Sequence, residues 1–136
     1  DIIKEYPDIK LITEQHVPAE QPINDAEEIT ANLLTANPDK DSVTAIFAAW
    51  DEPAIGAAKA LAEAGRDEVI VTGVDGNEQA VQMIKDGSCL KATVKQNFEG
   101  MADIVCRQME KYYAGETIEK GEMYAPAELI TQENAQ

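Results

Sequence analysis

Two nearly continuous apolar runs and a third of the same type, each followed within a few residues by a helix-like segment, constrain this chain more than any other feature. Residues 43–49 (VTAIFAA), 68–74 (EVIVTGV) and 90–95 (LKATVK) have the length and β-branched content of strands buried on both faces. Between and around them lie segments of helical period. Residues 25–36 place Ile29, Leu33 and Leu34 on one side and are stopped by Asn37-Pro38-Asp39. Residues 52–64 are alanine-rich, carry Ile55 and Leu61, and end at Gly65; residues 77–86 carry Val81, Met83 and Ile84 and end at Gly87. Repeated strand–helix units of this kind predict an α/β fold: a doubly wound parallel sheet with helices on both faces.

The flanks are read the same way. Residues 9–13 form a short β-favouring run, and 98–114 the longest helix, with Met101, Ile104, Val105, Met109 and Tyr112 on a broad apolar face. Residues 123–130 read as a last extended segment interrupted by Pro126. The opening residues read as the tail of a helix that Pro7 ends, so the chain reads as beginning in the middle of something.

Charge excludes some partners. Twenty-six acidic against 11 basic side chains leave a net charge of −15 on 136 residues. A polyanion such as nucleic acid, or an anionic membrane surface, is repelled by such a chain. No apolar run approaches the roughly 20 residues that a spanning helix needs.

In an open parallel sheet, ligands bind beyond the carboxyl ends of the strands. Here those ends empty into Trp50-Asp51-Glu52-Pro53, Asp75-Gly76-Asn77 and Gln96-Asn97. An indole, carboxylates and amides on one rim suit a polyhydroxylated small molecule. Carboxylates accept from neighbouring hydroxyls, an amide donates and accepts, and an indole face covers the C–H surface of a ring. Local pattern also offers plainer roles: Asp51 reads as the cap of a helix with proline in its first turn, Asp75 before Gly76 as a turn residue, and Trp50 as either rim or core.

Motifs of enzymes are missing: there is no phosphate-binding G-x-x-x-x-G-K-[ST], no G-x-G-x-x-G after the first strand, no G-x-S-x-G and no H-E-x-x-H. Cys89 and Cys106 form no C-x-x-C pair and lie far in sequence from the single histidine, His16, which argues against zinc. His16 reads as a loop residue. The two thiols are expected to be unbonded, since one precedes a strand and the other lies mid-helix.

The strings NLLTANPD (32–39), IFAAWDEPAIGAAKALAEAG (46–65), VIVTGVDGNEQAVQMIKDG (69–87) and KATVKQ (91–96), in this order and spacing, resemble periplasmic sugar-binding proteins of the ribose-binding type, the solute receptors of bacterial ABC importers. The resemblance covers the chain from about residue 7 onward. It implies two α/β lobes joined by three crossovers, with sugar held in the cleft between them, no cofactor, a membrane permease as partner, and export to the periplasm or to the cell surface as a lipoprotein. It implies ligand contacts from Asp75 of V-D-G and Gln96 at a crossover, and from the residue before D-E, which is Trp50 here where the family often has asparagine. Gln21 lies roughly where some relatives place an aromatic contact.

On this reading residues 1–96 are the C-terminal lobe, incomplete at its start. Residues 97–121 are the crossover and a helix that returns to a first lobe, and residues 122–136 are the last strand and tail. Helix 98–114 would then lack its partner sheet, and the chain alone is expected to self-associate. The other family that the pattern resembles is the effector domain of LacI-type repressors. Those usually carry D-D after G-F and then P-x-L-T-T-V, where this chain has V-D-G and A-T-V-K-Q.

Overall fold

A computed structural model of the chain describes residues 2–135. Its sheet has four strands in spatial order β1-β2-β3-β4: β1 is Ala45–Phe47, β2 Ile70–Asp75, β3 Leu90–Lys95 and β4 Glu128–Thr131. The first three are parallel, with Phe47 opposite Thr72 and Asp75 opposite Lys95, while β4 runs antiparallel on β3 with Ile130 opposite Thr93. The α-helices are α1 (Pro22–Ala36), α2 (Asp51–Glu63), α3 (Glu78–Lys85) and α4 (Phe98–Tyr113).

Local chemistry explains where the helices begin. Pro22 sits in the first turn of α1, where a missing N–H costs nothing, so the helix starts three residues before the 25–36 pattern. Asn77 caps α3 by accepting from the Ala80 amide at 2.8 Å, and Asn97 caps α4 by accepting from the Gly100 amide at 2.8 Å. Helices α1 and α2 run in the same direction: the Ile23 carbonyl presses on Gly56, where a β-carbon would collide with it, and Leu34 and Thr35 share a hollow with Ala60 and Glu63.

The core is Ile55 and Leu61 of α2, Ile84 of α3, Leu90, Val71, Val69 and Val43, all fully buried. Each contributes about 1.5–3 kcal/mol relative to an exposed side chain. Arg66 is buried beside them, its guanidinium bonded through Nε and one terminal nitrogen. It donates to Glu68 Oε1 at 2.6 Å and to the carbonyls of Lys40 at 2.7 Å and Val43 at 3.4 Å. Cys89 is buried and Cys106 exposed, and both thiols are free; burial pushes the Cys89 thiol above its ordinary range.

The α/β class with its mostly parallel sheet is as expected from the sequence, but three details differ. First, among the described residues helices cover one face only. Val71, Gly73, Thr93 and Ile130 point under α2 and α3 and are buried, whereas Phe47 (73% exposed), Ile70 and Leu129 stand open on the other face. The cause is topological. With β1, β2 and β3 in consecutive order, every right-handed crossover passes over the same side of the sheet. Second, residues 43–49 contribute only three ladder residues, because β1 is an edge strand pairing on one side. Third, residues 9–13 form no strand: Ile9, Leu11 and Ile12 are exposed, and no neighbouring strand offers them a ladder.

Helix α4 has no buried residue. Met101, Val105, Met109, Tyr112 and Tyr113 are exposed, and a shallow apolar hollow of about 340 Å³ runs along Ile104, Val105, Met109 and Tyr112 to Ile118 and Met123. Its cover among the described residues is the segment after it, tied by the Glu119 amide donating to Gln108 Oε1 at 3.2 Å and by a Lys111–Glu119 ion pair at 3.2 Å.

Candidate functional site

The carboxyl ends of β1, β2 and β3 lie side by side, and the chain leaves each in a turn that opens a helix. Asp75 is the last residue of β2 and has φ 121°, the one non-glycine at positive φ among the described residues. Gly76 follows at φ 75° and Asn77 begins the cap of α3. Side chains rarely accept such a backbone, so the surroundings must hold it.

They do so through three backbone groups in succession. The Asp75 carbonyl accepts from the Gln96 amide at 3.3 Å. The Gly76 amide donates to Thr93 Oγ1 at 3.2 Å, and the Asn77 amide donates to Asp51 Oδ2 at 2.8 Å. Thr93 Oγ1 in turn donates to Asp51 Oδ1 at 2.7 Å. Asp51 and Thr93 are both fully buried.

Asp51 therefore does something other than the capping that its position before Pro53 suggests. The N-cap of α2 is Trp50, and the Asp51 carboxylate turns inward to bridge the β2–α3 turn and β3. Room for it comes from Gly73, where a β-carbon would collide with Asp51 Oδ1. Sequence reasoning missed this pair. An acid in a first turn and a threonine in a strand carry no local signal that they meet across 42 residues.

Of the expected ligand residues, Asp75 and Gln96 are brought together: Gln96 Nε2 donates to Asp75 Oδ1. Both are half-buried, and Trp50, also half-buried, sits at the neighbouring strand end. Gln21 immediately precedes α1, so the parallel run of α1 and α2 puts it at the same end of the molecule. It is exposed, and its Oε1 accepts from Asn24 Nδ2 at 3.3 Å rather than joining the other three. His16 is exposed in an extended segment. Among the described residues no cluster of acids, histidines and thiols could hold a metal ion. The rim thus offers a carboxylate, an amide and an indole, the groups that bind vicinal hydroxyls and the apolar face of a ring.

A family profile described as a periplasmic binding protein domain matches residues 1–117. The chain belongs to the periplasmic binding protein family. Among curated members, the D-apiose import binding protein of Actinobacillus succinogenes is 32% identical over 136 residues, covering 99% of this chain and 42% of that protein. The ribose import binding protein of Salmonella typhimurium is 47% identical over 68 residues, covering 50% of this chain and 22% of that protein. Among solved periplasmic binding proteins and their kin, an ABC transporter solute binding protein from Agrobacterium vitis with bound allitol superposes with a TM-score of 0.90 at 32% identity. It is matched over 98% of this chain and 47% of that one. An ABC sugar transporter subunit from Rhodobacter sphaeroides gives 0.88 at 33% identity, over 98% and 48%. The chain spans less than half the length of these relatives.

Proposed function

We propose that this chain is part of the solute-binding component of a bacterial ABC importer, a binding protein rather than an enzyme, which holds a sugar or similar polyhydroxylated molecule between two lobes. The observation that carries the reading is the Asp75–Gln96 pair at adjoining strand ends, with Trp50 beside it. Asp75 accepts from ligand hydroxyls, Gln96 donates and accepts, and Trp50 covers an apolar ring face; Gln21 adds a contact at the edge. Relatives named for D-apiose and ribose import, and a neighbour with allitol bound, support this ligand class. Residues 1–96 form the C-terminal lobe in this proposal, 97–121 a crossover and helix that belong against the first lobe, and 122–136 the returning strand and tail. The protein works outside the cytoplasmic membrane beside a permease.

The open apolar face of α4 supports a corollary. In the chain by itself that face docks on a second copy, because five such side chains in water forgo roughly 1.5–3 kcal/mol each.

Calorimetric titration of the two-lobed receptor against a panel of pentoses, hexoses and alditols tests the function. Saturable binding of at least one is expected, and a receptor that binds none would refute it.

A further inference from the structure

The Asp51–Thr93 pair is fully buried, yet its bonds converge on the turn that carries Asp75. We propose that Asp51 and Thr93 are positioning residues for the sugar site: they clamp the amides of Gly76 and Asn77, and so hold Asp75 at its positive φ with its carboxylate presented to ligand before ligand arrives.

The placement argues for this in three ways. A carboxylate wholly removed from water is costly unless its oxygens are filled. Here one oxygen takes the Asn77 amide and the other the Thr93 hydroxyl, so both bonds act on one turn. A core made only for stability has no need of such a group where α2 and the sheet meet. Next, the two amides seized are the pair that directly follows Asp75. With the Gln96 amide on the Asp75 carbonyl, three consecutive residues are pinned from β1–α2, β3 and the β3–α4 turn. Finally, the strained residue is the proposed ligand residue itself. Strain of this kind persists only where neighbours over-determine the backbone, and a turn fixed beforehand spares the ordering cost at the moment of binding.

The inference rests on the reading of Asp75 as a sugar contact, and the test separates the two. In the two-lobed receptor, Thr93→Val removes the hydroxyl at nearly constant volume, Asp51→Asn does the same for the charge, and Thr93→Ser restores the hydroxyl. Affinity for the best sugar is measured for each, with Asp75 present and in an Asp75→Ala background, alongside hydrogen exchange at the Gly76 and Asn77 amides. A positioning role predicts that Thr93→Val weakens binding about tenfold when Asp75 is present. Thr93→Ser recovers most of this, both amides lose protection in Thr93→Val, and Thr93→Val adds nothing once Asp75 is alanine. An equal loss in both backgrounds marks a general structural effect and overturns the proposal, as does unchanged affinity with Asp75 present. Should Thr93→Val fail to fold, Asp51→Asn carries the same comparison. Loss of affinity in Thr93→Val with no loss in Asp75→Ala would instead refute the ligand role of Asp75. A wild-type receptor that binds no sugar refutes both.

Discussion

Asp51 and Thr93, 42 residues apart in the chain, share a buried hydrogen bond of 2.7 Å directly beneath the turn that ends β2. The bond joins the start of α2 to the middle of β3 and leaves no polar side-chain atom of the described core without a partner. It also fixes what can stand above it, since only the missing side chain of Gly73 leaves space for the carboxylate.

Stability of the 136-residue chain is accordingly expected to respond sharply at Gly73. Gly73→Ala drives a methyl into Asp51 Oδ1 and against Ala54, and overpacking of this kind costs about 1–3 kcal/mol. Urea denaturation of the variant checks it. A midpoint equal to wild type would mean that the strut can move aside.

Asp75 is expected to oppose stability and function. Glycine accepts positive φ without penalty, so Asp75→Gly relieves strain and raises stability by about 1 kcal/mol, even though the Gln96 contact is lost. The same substitution removes the proposed acceptor and abolishes tight sugar binding. Thermal melts beside titrations distinguish this from a variant that loses both.

Much of the scaffold was legible in the sequence, because strand and helix periods are local. Strand β3 at 90–95 and helix α4 from Phe98 follow directly from residue pattern. Other features depend on what lies next to a segment in space. Residues 9–13 have strand composition but no ladder partner, and Phe47 has a core composition but an open face beside it. The rim residues could be named from the strand-end rule and from the family resemblance. The buried pair below them could not, because Asp51, Gly73 and Thr93 carry meaning only once the start of α2, β2 and β3 are packed together.

Acid is expected to weaken the Arg66 anchor. The guanidinium beside Glu68 holds that carboxyl below its ordinary value of 4.5, so the folded state favours the charged form. The sign follows: this contribution is complete above the unfolded value and is lost as pH falls through the lower folded one. Between Glu68→Gln and wild type, the stability difference should shrink as pH drops below about 4.5. A difference that does not vary with pH across that window would contradict the coupling.

The chain by itself is expected to associate through α4. Sedimentation velocity at rising concentration should show a shift from monomer to dimer, and Val105→Glu with Met109→Lys should abolish it without unfolding the sheet. A compact monomer at tens of micromolar, with 98–113 protected from hydrogen exchange, would show that α4 finds cover within its own chain.

The most direct measurement is calorimetric titration of the two-lobed receptor and its Asp75→Ala variant with the sugar that the wild type binds best. Removing a charged acceptor from a buried hydroxyl costs about 2–3 kcal/mol, so affinity should fall roughly a hundredfold. Equal affinity in the two proteins would contradict a sugar site built on Asp75 at the end of β2.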